Sequence, residues 1–593
     1  MTVDIELGAR LVESGVRFTL FTTTAERCAV RLFDVENRVS RTTPLEPLGD
    51  GYFAADVPGL GAGTRYKFLL DDRELPDPYA RFLPDGVHGP AVVMASGYSF
   101  RHERPKVRPL SEQVIYELHL GTFTQEGTYD AAAERLAYLA DLGVTLLEIM
   151  PLSSFPGSRG WGYDGVAHFA PFSGYGEPDA LRRFIDEAHG HGLRVLLDVV
   201  YNHFGPAGNY LGAYSPRYFT ADYQNAWGEA PRFADAPMRH FARANVLYWL
   251  HEFRFDGFRL DATHAIFDPS DEHVLVEVAR VTRNSAPHAL LIAEDERNDP
   301  ACVTELGSDA IWADDFHHQL RVTLTGERDG YYGQYRPGVE DLARTIERGW
   351  LFEGQANPSG ALPRGKNADE LPAAAFVYCI QNHDQIGNRA LGTRLNHELG
   401  LDAYRLASTL LLFLPMTPLL FMGQEWAASS PFLFFTDHDE ELGAQITAGR
   451  RREFSAFASF SNEAKRALIP DPQTHSTFSR SRLIWDELER QPHASVLRSY
   501  RELLALRRSD PVLARPCPRA QLAAQGSEQL LAVRRCAPEL GQARVLLANF
   551  GPTPIPIAGL PWSDSFRSAV LRVGEGDISL VPPLGAVILA CDA

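Results

Sequence analysis

The sequence of 593 residues has a formal net charge of −19, and 45% of its residues are hydrophobic. This acidic balance argues against nucleic acid as a partner, because phosphate contacts need clustered lysine and arginine. No apolar run reaches the roughly 18 residues that a membrane-spanning helix needs, and the chain start lacks a signal-peptide pattern, so we expect no membrane association.

Residues 1–92 alternate short β-like runs with turns, as in "VRFTLFTTT" and "RCAVRLFDV". This spacing predicts a small N-terminal β-sandwich. Residues 93–110 are polar and contain proline, so we interpret them as a linker.

Between residues 111 and 513, β-like runs alternate with stretches of helical spacing. This alternation predicts an α/β fold, a (β/α)₈ TIM barrel. Residues 514–593 return to β-like runs such as "QLLAVRRC", which predict a C-terminal β-sandwich. The eight predicted barrel strands lie in "VIYELHLGTF", "VTLLEIMPL", "LRVLLDVVYNH", "RFDGFRLDA", "ALLIAEDE", "AIWADDFHH", "FVYCIQNHDQ" and "TPLLFMGQE".

The six cysteines are scattered along the chain, without a Cys-x-x-Cys pair. In a chain of this length such a pattern indicates reduced thiols and a cytoplasmic protein. The sequence contains no cofactor or metal motif that we can identify, so we expect neither.

Polar residues follow the predicted strands at the points where those strands end. Asp261 closes the fourth strand, Glu294 the fifth and Asp384 the seventh. The carboxyl ends of barrel strands converge at one mouth, where barrel enzymes have their active sites. Any one of these carboxylates alone is more typical of a cap or a bridge, but three at corresponding positions predict a catalytic site.

Arg259 and Asp261 lie two apart and therefore share one face of their strand. Burying a charge is costly unless it is paired, so this ion pair is either a structural bridge or part of the site. We expect Arg259 to lower the pKa of Asp261 and keep it ionised. The negative neighbours Asp261 and Asp384 should raise the pKa of Glu294 and keep it protonated.

Such a set of carboxyl groups is what glycosidic bond cleavage needs. One carboxylic acid protonates the leaving oxygen, while a carboxylate meets the positive anomeric carbon. In a retaining enzyme that carboxylate is the nucleophile. We therefore expect a retaining glycoside hydrolase with Asp261 as nucleophile.

Four motifs resemble those of glycoside hydrolase family 13, the α-amylase family. They are "DVVYNH" (198–203), "GFRLDATHA" (257–265), "LIAEDE" (291–296) and "QNHDQIGN" (381–388). The resemblance implies that Asp261 is the nucleophile, Glu294 the acid/base, and Asp384 the residue that grips and distorts the sugar. It also implies that the N-terminal sandwich is similar to carbohydrate-binding modules.

The same resemblance implies that His203, Arg259 and His383 hold the sugar at the cleavage point. Tyr163, in "GWGYDG", is similar to the aromatic platform beneath that sugar, and an apolar ring with a polar tip suits this role. The alternative for Tyr163 is a tyrosine that only packs a loop. Asn202 is a calcium ligand in many α-amylases, but the rest of such a site cannot be identified, so that role is not assigned here.

Three further segments, at 312–318, 347–355 and 421–454, resemble the trehalose-releasing members of the family. This resemblance implies hydrolysis of the α-1,4 bond next to the terminal trehalose unit of maltooligosyltrehalose. The expected partners are therefore maltooligosyltrehalose and related α-glucans.

Selecting a trehalose end needs several hydrogen bonds, because a site that bonds a hydroxyl strongly rejects an analogue without it. For each residue that we assign to this role, the alternative is a place in a hydrogen-bonded network that only shapes the loops. The polar residues that we place on the leaving side are His264, Asp315, His317, His318, Gln385 and Asn388.

Two other functions are consistent with parts of this pattern. A glycogen-branching transferase shares the barrel and the three carboxylates, and there an acceptor sugar replaces water. A non-catalytic glucan-binding scaffold is the alternative from another class, although all three carboxylates are present.

Overall fold

The computed structural model describes residues 6–95, 97–225, 227–356, 360, 362–460 and 462–593. Eight parallel strands close into one barrel, and they are the eight strands that the sequence predicts. The expected (β/α)₈ fold is therefore confirmed. The barrel strands, in chain order, are Ile115–Leu118, Leu146–Ile149, Arg194–Val199, Gly257–Leu260, Leu290–Ala293, Ala310–Trp312, Phe376–Cys379 and Thr417–Phe421.

Successive residues of each barrel strand point alternately into the barrel and toward the surrounding helices. In the first strand, Ile115 packs inside the barrel and Tyr116 packs in the larger core outside it. In the fourth strand, Phe258 and Leu260 belong to the outer core. Arg259 between them therefore points inward, as its spacing from Asp261 predicts.

Helices follow the strands and cover the barrel. Helix Pro178–Gly190 begins with a proline, whose fixed φ suits a first turn where its missing N–H needs no partner. Gly143 ends helix Leu136–Leu142 with a left-handed φ of 109°, which glycine adopts at little cost. The other α-helices of the described residues are Leu120–Phe123, Tyr129–Ala133, Leu211–Tyr214, Ala236–Glu252, Val274–Ser285, Ala301–Thr304, Asp314–Thr325, Val339–Arg348, His383–Gly387, Leu395–Glu398, Leu401–Phe413, Glu440–Glu453, Glu463–Arg466, His475–Arg480 and His493–Ser509.

The N-terminal domain is an antiparallel β-sandwich. Its long strand Val39–Gly49 pairs with Cys28–Phe33 through its first part and with Tyr52–Pro58 through its last residues. One strand therefore joins the two layers. The remaining strands are Gly8–Val12, Gly15–Phe21, Arg65–Leu70, Arg73–Leu75 and Ala91–Val92.

The C-terminal domain has a five-stranded antiparallel sheet and one short two-stranded sheet. Arg535 joins it to the barrel domain, because its buried guanidinium donates to the Phe413 carbonyl at 2.7 Å. The strands are Leu522–Ser527, Leu530–Ala537, Gln542–Asn549, Ile555–Pro556, Phe566–Val573, Leu580–Val581 and Gly585–Asp592.

Loops on the barrel mouth contain two further ribbons. Ser153–Ser154 pairs with Ala167–Pro171, and Phe219–Asn225 pairs with Gly228–Pro231. Helix Leu211–Tyr214 precedes the second ribbon, and its Tyr214 is buried against the N-terminal domain and donates to the Pro76 carbonyl at 2.9 Å. The N-terminal domain is thus attached beside the mouth.

Within the described ranges, every helix is too short or too polar to cross a membrane. All six cysteines are free thiols, and five of them are buried.

Candidate active site

Arg259 lies at the centre of the polar cluster at the barrel mouth. Its side chain is fully buried, and one terminal nitrogen lies 2.8 Å from Asp198 and 2.6 Å from Asp261. The other terminal nitrogen lies 2.8 Å from Glu294, and the guanidinium carbon lies 4.4 Å from the centre of the Trp312 ring. One guanidinium therefore pairs with carboxylates from three neighbouring strands, which offsets the cost of burying its charge.

Asp261 is held in the ionised state. Besides Arg259, the amide of Asn202 donates to its second oxygen at 2.7 Å. Burial alone would raise the pKa of Asp261, but Arg259, His203 and the Asn202 hydrogen bond outweigh it and hold that pKa below its usual value. This direction is the one that the sequence predicts.

The backbone between Asp261 and Thr263 is strained. Ala262 has φ 38° and ψ 57°, a left-handed conformation that costs a non-glycine residue on the order of 1 kcal/mol or more. In this conformation its N–H donates to Glu294 Oε2 at 2.8 Å. The strain therefore positions a donor beside Glu294.

The surroundings of Glu294 shift its pKa in the opposite direction. Burial raises its pKa well above the usual range; Arg259 opposes this shift, while Asp261 and Asp384 add to it. The sequence predicts the effect of the two negative neighbours, and burial is a larger cause that the sequence does not show. Two neighbouring carboxyl groups whose pKa values are pushed apart are typical of an acid and a nucleophile.

His383 connects this cluster to the first barrel strand. Its Nδ1 hydrogen-bonds the buried carboxylate of Glu117, which also accepts from the His383 backbone N–H at 3.0 Å. Its Nε2 lies 2.8 Å from the Tyr163 hydroxyl and 3.4 Å from Asp384. Burial lowers the pKa of His383, but Asp384 and Glu117 raise it to about 10, so the ring is an imidazolium near neutrality.

Tyr163 and His203 lie together beside Arg259. The Tyr163 ring stacks on His383, with centroids 5.1 Å apart, and its hydroxyl donates to Asp198 at 2.6 Å. His203 Nε2 lies 2.9 Å from the Tyr163 carbonyl oxygen. The His203 ring stacks on Trp227 at 3.7 Å, and Trp227 is 44% exposed.

A cavity of about 520 Å³ opens beside Glu294 and Asp384, and we call it the mouth cavity. Its walls come from the loops after the fifth, sixth and seventh barrel strands. Three of the residues that the sequence assigns to the leaving side line it: His318, Gln385 and Asn388. Asn388 also donates to Asp384 at 3.1 Å.

Asp315 lies behind the wall of the mouth cavity. It has no exposed surface, and both of its oxygens accept hydrogen bonds from neighbouring segments. This arrangement leaves its carboxylate joining the wall segments together, without reaching the cavity. The donors to Asp315 are Asn298, Tyr335, Arg364 and the backbone N–H groups of Leu351 and Phe352.

The two remaining predicted leaving-side residues are placed differently. His317 is 3% exposed, and its Nδ1 lies 2.9 Å from His318 Nδ1, so it supports His318 from behind. His264 is partly exposed, and its Nε2 lies 3.6 Å from Glu296.

Asp314, rather than Asp315, lines the mouth cavity. Burial, Asp384 and Asp315 raise the pKa of Asp314 to about 7. The sixth strand ends at Trp312 and a helix begins at Asp314, so strand alternation does not extend to these residues. The only signal in the sequence is the adjacent pair of aspartates.

No group of three or more histidine, cysteine, aspartate or glutamate side chains is arranged to hold a metal ion within the described parts of the chain. Asn202 uses its amide on Asp261, and its carbonyl oxygen hydrogen-bonds His203. Its contacts therefore serve the carboxylate cluster.

Comparison with known proteins agrees with this geometry. A family model described as the α-amylase catalytic domain matches residues 85–226, and carbohydrate-binding module 48 matches residues 6–80. The malto-oligosyltrehalose trehalohydrolase of Deinococcus radiodurans is 48% identical over 572 residues, which cover 96% of this chain and 93% of that protein. The chain belongs to the malto-oligosyltrehalose trehalohydrolase family. It is therefore a glycoside hydrolase of the α-amylase family.

Other members and neighbours are consistent with this placement. The trehalohydrolase of Saccharolobus solfataricus is 38% identical, with 84% of this chain and 86% of that protein covered. A crystal structure of a putative α-amylase from Salmonella typhimurium has a TM-score of 0.90 at 36% identity, with 99% of each chain covered. A pullulanase from group B Streptococcus, solved with maltotetraose, has a TM-score of 0.75 at 18% identity and supports the fold alone.

Proposed function

We propose that this chain hydrolyses the α-1,4-glucosidic bond next to the terminal trehalose unit of maltooligosyltrehalose and so releases trehalose. The observation that carries the proposal is the pair Asp261 and Glu294, which share one guanidinium and have opposite pKa shifts. A retaining glycosidase needs an ionised nucleophile and a protonated acid with carboxyl groups only about 5 Å apart. The names of relatives that match most of the chain support the substrate class.

In the first step, Asp261 attacks the anomeric carbon and the bond from that carbon to the glycosidic oxygen breaks. Glu294 gives its proton to that oxygen, so trehalose leaves as a neutral molecule. In the second step, the Glu294 carboxylate takes a proton from water, and the water oxygen attacks the anomeric carbon. The bond to Asp261 breaks, and the anomeric configuration is retained.

Four groups around this pair fit supporting roles. Arg259 stabilises the carboxylate of Asp261 before attack and after release. The His383 imidazolium, held by Glu117, is a strong donor to the hydroxyls of the reacting sugar. In this proposal Asp384, which is hydrogen-bonded by Asn388, accepts from that sugar and stabilises its positive charge. Tyr163 supplies the ring beneath it.

The leaving trehalose belongs in the mouth cavity, because the acid must lie beside the leaving oxygen and Glu294 lines that cavity. His318, Gln385 and Asn388 are the residues that we propose for contacts to its hydroxyls. Asp315 and His317 act indirectly in this proposal, since both are buried behind the wall. Selectivity arises because a substrate that lacks a matching hydroxyl leaves polar groups of the site buried and unpaired.

Product analysis tests the proposal. The protein is incubated with maltooligosyltrehalose and, separately, with a plain maltooligosaccharide of equal length, with Glu294→Gln as the inactive control. Release of trehalose from the first substrate, faster than cleavage of the second, is the expected result. New α-1,6 branches would instead indicate a branching transferase, and the absence of any product would indicate a binding scaffold.

The free thiols of the six cysteines support a further proposal, that the protein is cytoplasmic. The expected partners in that compartment are α-glucans with a trehalose end.

A further inference from the structure

A second cavity, which we call the distal cavity, lies across the barrel mouth from the mouth cavity. It has a volume of about 700 Å³ and lies between loop 83–88 of the N-terminal domain, loop 154–158 and segment 437–439. Its barrel loops follow the second, third and eighth strands, whereas those of the mouth cavity follow the fifth, sixth and seventh. Given the strand order in the closed barrel, the two cavities flank the catalytic carboxylates.

The position of the acid determines which part of a substrate points to each side. Glu294 lines the mouth cavity, so the leaving group lies there if Glu294 is the acid. The rest of the glucan, which ends in the non-reducing glucose, must then leave the reacting centre on the opposite side. This direction leads to the distal cavity, and the reasoning rests on the function proposed above.

Contacts link the wall of the distal cavity to the loop that carries Tyr163. His438 lines the cavity, and its Nε2 lies 3.2 Å from Asp164. Asp164 follows Tyr163, whose carbonyl accepts from His203 and whose hydroxyl lies 2.8 Å from His383. The wall of the distal cavity therefore contacts the loop that carries Tyr163.

His438 also has an unused polar atom. Its side chain is 2% exposed, and among the described residues its Nδ1 has no hydrogen-bond partner. Leaving such an atom buried and unpaired costs on the order of 1–3 kcal/mol. A hydroxyl in the cavity could accept from this nitrogen or donate to it, according to the tautomer of the ring.

The other lining groups fit a neutral polyhydroxylated ligand. The carboxylates of Asp437 and Asp439 line the cavity as hydrogen-bond acceptors, and Asp437 also pairs with Arg159 at 2.8 Å. His88 lies on the N-terminal domain side, where its Nδ1 is 2.6 Å from the Tyr210 hydroxyl. Phe155 and Phe172 stack at 4.1 Å and form an apolar floor, which suits the face of a pyranose.

We infer that the distal cavity binds the non-reducing arm of the α-glucan donor and that the N-terminal domain contributes to this binding through loop 83–88. The N-terminal domain is then part of the substrate site as well as a neighbour of the barrel. Preference for long donors follows, because only a long arm reaches the cavity.

Two substitutions test the inference in the full-length protein. Ala207→Trp fills the cavity from the loop after the third strand, and His88→Ala removes a polar group from the N-terminal side. Neither residue lines the mouth cavity. The matched controls are Val35→Trp, at a position 88% exposed, and His191→Ala, which follows helix Pro178–Gly190 at the opposite end of the barrel.

The measurement compares kcat/KM for a short donor, maltosyltrehalose, and a long donor, maltopentaosyltrehalose. The wild type and both controls should prefer the long donor by about tenfold, which corresponds to about 1.4 kcal/mol. Ala207→Trp should lose this preference and His88→Ala should weaken it, while the rate on the short donor changes less than about twofold. The inference is overturned if Ala207→Trp keeps the preference or if both donors weaken equally.

A binding assay separates this inference from the proposed function. Maltotriose and maltoheptaose are titrated calorimetrically into Glu294→Gln, with and without Ala207→Trp, because their non-reducing arms resemble that of the donor. A selective loss of maltoheptaose affinity supports the distal site even if the wild type releases no trehalose. Equal affinities for both glucans in Glu294→Gln overturn the distal site and leave the proposed function standing.

Discussion

At the scale of single residues, the two carboxyl groups of Asp261 and Glu294 both contact Arg259 but differ in their other neighbours. Asp261 accepts from Arg259 and Asn202, whereas Glu294 is partly buried and has two other carboxylates nearby. The pKa of Asp261 is lowered and that of Glu294 is raised. Activity should therefore fall at acid pH as Asp261 is protonated, and at alkaline pH as Glu294 loses its proton.

Glu294→Gln keeps the shape of the acid but removes its transferable proton. We expect kcat on maltooligosyltrehalose to fall by about 10³-fold, the size of effect typical of lost acid catalysis. An α-maltosyl fluoride should still glycosylate Asp261, because fluoride leaves with little protonation. Asp261→Ala is the contrasting control and should be inactive on both substrates. If Glu294→Gln loses both activities equally, Glu294 is not the acid.

Glu117 and Glu148 lie side by side on the first two barrel strands and provide a test of pH dependence. Glu117 pairs with His383, whose pKa is raised to about 10 from an ordinary value of 6.5 although burial lowers it. The stability from this shift is complete below pH 6.5 and is lost as pH rises through about 10. Burial and the neighbouring Glu117 raise the pKa of Glu148 well above its usual range, which favours its neutral form.

Glu117→Gln should therefore lower Tm most at pH 6.5 and below, and the gap from the wild type should close as pH approaches 10. His383 is also faced by Asp384, Arg259 and Asp198, which stay in place. Glu148→Gln removes no charge and should give a gap that does not change over this range. Thermal melts across pH check both variants, and a constant gap for Glu117→Gln would contradict the assignment.

At the scale of elements, Asp315 joins four segments behind the mouth cavity. It binds the loop after the fifth strand through Asn298, the segment at 351–352, Tyr335 and Arg364. Asp315→Asn removes one partner of a buried ion pair, which costs about 3 kcal/mol. We expect a lower Tm, and a greater loss of kcat/KM on maltooligosyltrehalose than on plain maltooligosaccharide.

Asp369→Asn is the matched control for this change, because Asp369 pairs with Arg348 at an exposed position. Exposed pairs contribute about 0–1 kcal/mol, so Tm and selectivity should stay near the wild-type values. If Asp315→Asn weakens both substrates by the same factor, the wall segments do not select the trehalose end.

The barrel elements can be predicted from sequence because each strand is a short apolar run ending in polar residues. The stretch 129–143 is an exception: its helical spacing predicts one helix, and the structure has two, Tyr129–Ala133 and Leu136–Leu142. The spacing of buried residues continues across the break, so sequence periodicity does not reveal it.

The strand-end residues of the site, such as Asp261 and Glu294, are also visible in the sequence. Glu117 is not, because its role depends on meeting His383, which lies 266 positions away in the chain. Asp314 and Asp315 are the first two residues of a helix. The helix directs Asp314 toward the mouth cavity and Asp315 behind its wall. The local sequence does not show that a helix begins at Asp314.

At the scale of the whole molecule, Tyr214 attaches the N-terminal domain beside the mouth. It is fully buried, donates to the Pro76 carbonyl, and its own carbonyl accepts from Thr22 at 2.7 Å. Tyr214→Ala should cost about 3 kcal/mol, as truncation of a buried aromatic does. Limited proteolysis followed by mass spectrometry should then show faster cleavage near the N-terminal domain.

Tyr214→Phe keeps the ring and loses only one hydrogen bond, which is worth about 1 kcal/mol, so its proteolysis should resemble that of the wild type. Turnover of the short donor should survive in Tyr214→Ala, since the catalytic residues belong to the barrel. Cleavage at the same rate in all three proteins would show that Tyr214 does not hold the domain.

The central claim is that Asp261 and Glu294 carry out retaining hydrolysis at the bond next to trehalose. Proton NMR of the reaction with maltooligosyltrehalose, recorded before the new reducing end mutarotates, tests it directly. The account predicts signals of free trehalose together with the α-anomer at the new reducing end. If the β-anomer forms first, the reaction inverts and Asp261 is not a covalent nucleophile. If no trehalose signal accompanies the new reducing end, cleavage occurs at another bond.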